Sequence, residues 1–284
     1  MTTESESMMI TKRNGERVPF DITKLRTSLK RSGADDQRIG SVLSELQDFL
    51  HQGISTKAIY KKAYELLNAT PASVAAGRYQ VKQALKKLSE TGYPFEHFIG
   101  KLLEKQGFET QVGVVVPGKC VTHEVDVFAL REGEHYMVEC KFHPSKQGRC
   151  DVKNSLYVHA RFQDLESYWK TQPGHEDREH QGWLITNTRF TTDAIDYATC
   201  AGLRLLSWDF PNGNALRDQI TEFRHYPISC IDILKKDEIK TLADNGRVTV
   251  DDIVDDPTSL GLLALSETRK DRILQAAKLL ICNN

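Results

Sequence analysis

The sequence predicts a multidomain chain of mixed α+β and α/β class. A mostly helical N-terminal domain precedes a central α/β sheet core and a small C-terminal helical region. Three observations predict this. Residues 123–130 and 135–141 alternate apolar and polar side chains, the signature of two half-buried strands. Two apolar runs, 182–186 and 203–209, flank a helical stretch at 192–201, as a βαβ unit requires. The net charge of −1 hides a break: residues 9–90 carry 15 Lys and Arg against 8 Asp and Glu, whereas residues 91–211 carry 13 against 17 and residues 212–284 carry 10 against 12. The boundaries expected are a disordered tail at 1–8 and domains at 9–88, 89–211 and 212–284.

Composition excludes several classes. No apolar run reaches 18 residues and no signal peptide opens the chain, so a cytoplasmic protein with no membrane contact is expected. Six cysteines without paired spacing fit a reducing compartment. No GxxxxGK[ST] occurs, which excludes a P-loop hydrolase site.

The N-terminal domain opens with Ile10-Thr11-Lys12-Arg13-Asn14-Gly15, then Arg17-Val18-Pro19-Phe20-Asp21 and Lys24-Leu25. Asn-Gly suits a tight turn, so Lys12 and Arg13 fall on a short hairpin and Lys24 on the helix after it. Three cations so placed can converge on phosphates. Gly53-Ile54-Ser55-Thr56 opens another helix, and Ala75 to Lys82 closes a further one. This pattern resembles the ATP-cone domain, with Ile10 where the family has Val and Asn14 where it has Asp. The resemblance implies ATP or dATP as a regulatory ligand, contacted by Lys12, Arg13, Lys24 and Thr56, and nucleotide-dependent association into a homo-oligomer. The competing reading is a basic helical domain whose Lys and Arg face water or DNA.

Lys86 to Gly92 reads as a polar linker. Pro94 then starts a helix whose apolar stripe is Phe95, Phe98, Ile99, Leu102 and Leu103, with Gly107 as its stop. Glu96 lies at the edge of that stripe. It either points toward the sheet or is a solvated first-turn acid favoured by the helix dipole.

In HEVDVFAL (123–130), Val125, Val127 and Ala129 point one way and Glu124 and Asp126 the other. HYMVECK (135–141) puts Glu139 and Lys141 on one face and Cys140 toward the core. With Arg131-Glu132-Gly133-Glu134 as the turn, Leu130 falls opposite His135 and Asp126 opposite Glu139, about 5 Å apart at Cβ. Two carboxylates and an ammonium on one patch suit a hard divalent cation and an attacking water. His123 reads as a strand-edge residue.

The order of helix, glycine-bearing strand, acidic strand, ExK strand, long helix and last strand over residues 91–210 resembles the PD-(D/E)xK nucleases, in particular the Mrr-like restriction endonucleases. The resemblance implies DNA as partner and Mg²⁺ (or Mn²⁺) held by Asp126 and Glu139, with the Cys140 carbonyl as a third ligand. Lys141 would position water and steady charge, and Glu96 would be an outer carboxylate. The expected activity is endonucleolytic phosphodiester hydrolysis; the alternative is a nucleotide-sensing DNA-binding regulator with an idle nuclease fold.

Asp151 to Trp169 reads as a helix with 156, 158, 162 and 165 on its buried face, followed by a charged loop at 172–181, either a substrate-contacting lid or plain surface, with surface the favoured reading. Cys140, His143, Cys150 and His159 are spaced loosely like zinc ligands. Core placement of Cys140 and a partnerless His159 argue against that. Beyond residue 212, helical patterns at 227–234, 236–244, 250–254 and 266–281 suggest a compact unit, either helix-hairpin-helix-like or packed against the core. Its net acidity favours packing or oligomerisation.

Overall fold

A computed structural model describes residues 8–12, 14–69, 74–88, 92–144, 148–173 and 179–282. The disordered tail expected at 1–8, apart from residue 8, lies outside the described residues, and so do Arg13, residues 89–91 and residues 174–178 of the charged loop. The chain divides into two compact units, residues 1–81 and 82–284.

The first unit is a hairpin followed by helices. Strands β1 (Met9–Thr11) and β2 (Arg17–Pro19) pair antiparallel, and α1 (Ile22–Arg31), α2 (Asp36–Gln47), α3 (Thr56–Leu67) and α4 (Val74–Tyr79) follow. Asp21, Asp35 and Ser55 cap α1, α2 and α3 by accepting backbone N–H groups that the first turn leaves without partners. Leu25 and Leu29, Ile39, Val42 and Leu46, and Ile59, Ala63 and Leu67 repeat at helical spacing and form one core with Ile10. The closing helix read through Lys82 is two helices. Tyr79 stacks on Tyr60 at 5.0 Å inside the first core. After Gln80, α5 (Val81–Leu88) belongs to the second unit from Lys82 on, and there the Ser229 hydroxyl donates to the Ala84 carbonyl. The linker expected from Lys86 is therefore helical up to Leu88.

In the second unit, α6 (Tyr93–Lys105) precedes β3 (Glu109–Pro117), β4 (Thr122–Arg131) and β5 (Glu134–Lys141). Then come β6 (Arg149–Cys150), α7 (Val152–Trp169), β7 (His180–Thr186), β8 (Arg189–Phe190), α8 (Thr192–Cys200) and β9 (Arg204–Leu206). One sheet has the order β3-β4-β5-β7-β9: the first three strands are antiparallel and the last three parallel, while β6 and β8 form a small pair of their own. The apolar stripe of α6 is fully buried as read. The buried face of α7 is Val158, Phe162, Leu165 and Trp169, packed with α8 against Val125, Met137 and Leu184. Leu156, assigned to that face, is 45% exposed, because α7 turns the neighbouring Ser155 inward to the Ala194 carbonyl.

The hairpin carrying the site differs from its reading in the turn. Arg131 and Glu134 pair, so the turn is only Glu132-Gly133, both at positive φ (55° and 85°), the conformation that fits the strand twist of a two-residue hairpin. The register is unchanged, with Leu130 opposite His135. Strand β5 is buried on both faces, as a central strand must be.

The last strand is shorter than 203–209, and His180 and Gln181 belong to β7 rather than to the loop. The C-terminal region contains an unforeseen helix, α9 (Leu216–Glu222), and the 227–234 pattern is only a 3-10 turn at Ile228–Cys230. Helices α10 (Lys236–Asp244), α11 (Val250–Asp255) and α12 (Glu267–Ile281) follow. The Asn245-Gly246 turn between α10 and α11 is fastened to α6: Lys101 donates to the Gly246 carbonyl at 3.1 Å and pairs with Asp252, and Lys105 pairs with Asp251 at 2.8 Å. That contact gives this turn a packing role.

Candidate active site

Alternation along β5 decides which helix covers the site. Met137 faces α7, so Glu139 and Lys141, two and four residues on, do the same. Glu139 is 4% exposed. Its Oε1 accepts from Lys141 Nζ at 2.6 Å, and its Oε2 is paired with Arg161 of α7. Half-burial works against the Lys141 ammonium, but the hydrogen bond and charge of Glu139 outweigh it and leave the pKa raised.

Asp126 sits where the sheet loosens on both sides. Pairing between β4 and β5 ends at Val127 with Val138. On the β3 side, Val112 pairs with Val127 and Val114 with Val125, while Gly113, between them, adopts φ +66°. Only glycine takes that conformation at no steric cost. Freed from a regular ladder, Asp126 Oδ2 accepts from the Cys140 backbone N–H at 2.7 Å. The expected opposition of Asp126 and Glu139 is thus met by a side chain-to-backbone bond one residue further along. Burial first, and the Glu139 charge next, push the Asp126 carboxyl up to about 6.

Glu96 shares that field. Burial, followed by Asp126, raises its carboxyl to about 7. It is half-buried beside the site, which differs from a solvated first-turn acid. Its folded form holds a proton more tightly than an unfolded chain, so its contribution to stability falls as pH rises from about 4.5 towards about 7 and is constant above. In EDTA, the wild type should therefore lose more thermal stability across that interval than Glu96→Gln. Equal losses in a paired melting series would return Glu96 to the surface.

Cys140 is in the core as read, and burial raises its thiol well above the ordinary range. The loose zinc pattern is not brought together: His159 Nδ1 meets the Tyr197 hydroxyl at 2.7 Å, and Cys150 Sγ lies 3.5 Å from His143 Nε2. Among the described residues no three His, Cys, Asp or Glu side chains are arranged to hold a metal.

Sequence reading missed the contribution of α7. Tyr157, Arg161 and Asp164 recur at i, i+4 and i+7, a polar stripe beside the apolar one. Arg161 pairs with Glu139 and also bonds the Glu124 carbonyl and His123 Nδ1. Tyr157 lies under both cations, its ring centre 5.8 Å from Lys141 Nζ and 5.4 Å from the Arg161 guanidinium. His123 stands at the start of β4, the strand edge as read, and its Nε2 meets Asp164 at 2.8 Å. That bond, with N–H groups from Cys120 and Val121, holds the Asp164 carboxyl well below the usual range.

In the first unit, Lys12 follows β1 and pairs with Glu16 at 3.1 Å. Thr11 bridges to Ser55 and its N–H donates to the Ile54 carbonyl at 2.9 Å, which sets Lys12 beside the start of α3, where Thr56 stands. Lys24, 85% exposed, pairs with Asp21 at 3.3 Å. Arg13 lies outside the described residues.

Comparison with known proteins bears on this geometry. Family models match an ATP cone domain over residues 8–87, a restriction endonuclease domain of Mrr type over 87–210, and an AF1548-like C-terminal domain over 226–281. An Archaeoglobus fulgidus protein described as uncharacterized is 36% identical over 186 residues, which is 64% of this chain and 99% of that protein. The chain belongs to the AF1548-like family. The crystal structure described as Protein of Unknown Function AF1548 aligns at 34% identity and a TM-score of 0.55, covering 67% of this chain and 98% of that one. A distant likeness, 12% identical with a TM-score of 0.35, is to the MspJI restriction endonuclease in complex with a 27-mer oligonucleotide; it covers 70% of this chain and 39% of that one. This AF1548-like protein joins an ATP cone to an Mrr-type restriction endonuclease domain, as its sequence motifs imply. No helix among its described residues is long and apolar enough to cross a membrane.

Proposed function

We propose that this AF1548-like protein is a metal-dependent endonuclease that hydrolyses DNA phosphodiester bonds under the control of ATP or dATP bound to its cone. One observation carries the reading: Asp126, Glu139 and Lys141 meet at the loosened end of the β4–β5 hairpin, inside a domain of restriction endonuclease family. The residues fit Mg²⁺ or Mn²⁺. Burial first, and the Glu139 charge next, raise the Asp126 pKa, and a divalent cation held between the two acids would offset that repulsion. The Cys140 carbonyl completes the donor set, since the N–H and C=O of one residue in a strand lie on the same edge and its N–H faces Asp126. Bound there, the metal supplies Lewis acidity toward the phosphodiester and a more acidic water.

The chain's own groups do the rest. Asp126 and Glu139 are the ligands. Lys141 Nζ orients the water and meets the negative charge that builds on the phosphate. Glu96, with its carboxyl near neutrality, exchanges protons with water at the rim through its carboxylate oxygens. Arg161 holds Glu139 in place from α7. In this reading the protein works in the cytoplasm as a homo-oligomer whose association the nucleotide sets.

A second reading, a nucleotide-sensing DNA-binding regulator with an idle nuclease fold, is favoured by one feature: both Glu139 oxygens are already engaged by Lys141 and Arg161. Incubating the purified protein with plasmid and linear DNA, with Mg²⁺ or with EDTA, separates the two. Nicked or linear product that appears only with metal supports the enzyme, and DNA retained but uncut under every condition supports the regulator.

A further inference from the structure

We infer that the edge of the sheet beyond the C-terminal ends of β5, β7 and β9 is a track for nucleic-acid phosphates, carried by Arg149, Arg189, Lys82 and Arg217 and leading away from Lys141. The inference rests on the nuclease reading and extends it to residues outside the catalytic set.

Topology puts these groups together. Because β5, β7 and β9 run parallel, their C-terminal ends share one edge, the side on which open α/β sheets bind ligands. Lys141 ends β5, Arg189 lies three residues beyond β7, and Trp208 lies two beyond β9. The Trp208 N–H donates to the Thr188 carbonyl at 3.1 Å, tying the last two together. Lys82 of α5 places its ammonium 4.9 Å from the centre of the Trp208 ring. The Leu216 N–H donates to the Ser207 carbonyl, which brings Arg217 to the same edge.

Charge gives the ligand class. Arg149 and Arg189 are direct partners in the β6–β8 pair, so two like charges stand side by side where an opposite pair would stabilise. Asp209 meets Arg189 at 2.6 Å, and Asp218 lies 3.5 Å from Arg217. Among the described residues these four cations thus have two carboxylate partners, Asp209 and Asp218. Burial, then the Arg189 charge, push the Lys82 ammonium down to about 7, with Asp209 acting the other way and Lys86 and Arg217 adding to the Arg189 effect. His143 feels both Lys86 and Lys141, which joins this edge to the catalytic end of β5. A row of phosphates supplies the missing negative charge, and Arg suits phosphate by its forked geometry. The occupant is therefore the backbone of the strand whose scissile bond lies at Glu139.

The test measures binding, not cleavage. Full-length protein in EDTA is titrated into a fluorescent duplex, and affinity is followed from about 50 to about 200 mM KCl, the range in which phosphate contacts are strongly screened. The doubly substituted Arg149→Gln, Arg189→Gln protein should bind about ten-fold or more weakly. The slope of log affinity against log salt should be smaller by about 2, at roughly 0.9 per phosphate lost. Arg149→Lys with Arg189→Lys should keep the wild-type slope, which separates charge from folding. Lys240→Gln, at a 75% exposed site on α10, should change nothing. Wild-type affinity and slope in the double Gln protein would overturn the track and leave the nuclease reading standing. So would an equal loss in Lys240→Gln. Failure of the wild type to bind DNA at all would sink both.

Discussion

Asp126→Asn and Glu139→Gln are expected to abolish metal-dependent DNA cleavage, with rates falling by orders of magnitude while the fold persists. On the proposed mechanism the effect is large because each substitution would remove a ligand charge, and with it both the activation of water and the neutralisation of the phosphate. The amide variants matter for interpretation. Asn at 126 still offers an oxygen to the Cys140 N–H, so the end of the hairpin stays closed, and one source of repulsion between the acids is gone. Gln at 139 still offers an oxygen to Lys141 or Arg161, whereas Ala would leave two partly buried cations facing each other without the carboxylate that separates them. Melting curves should therefore show both amide variants folded at neutral pH. Cleavage that survives in either variant, or in EDTA with the wild type, would remove Asp126 and Glu139 from the mechanism.

The second large effect concerns the cone. Full-length protein should bind ATP or dATP, and Lys12→Ala should weaken that binding about ten-fold or more, since a charged hydrogen bond to phosphate is worth roughly 1.5–3 kcal/mol. Structural damage is not the expected cause. The Lys12–Glu16 pair is about half exposed on both sides, and exposed pairs of this kind contribute little. Calorimetry reads the affinity, and light scattering with and without nucleotide reads the subunit association. Coupling of about 1–3 kcal/mol would appear as a change in cleavage rate or assembly that disappears in Lys12→Ala. No heat with either nucleotide at millimolar concentration would refute the cone reading. Measured binding with no change in mass or rate would leave the cone without a regulatory role.

The hairpin was legible because its information is local. A period of two and a pinned turn fix which side chains share a face, and the register held even though the turn is two residues rather than four. The stripe of α6 and the core position of Cys140 were legible for the same reason. Errors arose where two cores compete for one segment. The run from Ala75 to Leu88 has a continuous helical pattern, yet Tyr79 serves the first unit and Ala84 the second, so the helix breaks between them. Leu156 was misassigned because a helix of 18 residues offers two overlapping apolar faces, and only the docking of α8 chooses between them. Helix α9 has little apolar repeat of its own; its start is set by the Leu216 N–H bonding back to Ser207.

The sequence by itself put forward Asp126, Glu139 and Lys141 as neighbouring candidates on two paired strands, and gave the order of the modules. Those follow from alternation and spacing along a few residues. Only the tertiary structure decided what surrounds them. Arg161, Tyr157 and His123 reach the site from α7 and the start of β4, 22 residues beyond Glu139 for Arg161 and 41 residues from its Asp164 partner for His123. No pattern within a strand encodes that proximity. The shift of Glu96 towards neutrality has the same origin, since a raised pKa needs burial and a neighbouring charge, which exist only once α6 lies on the sheet.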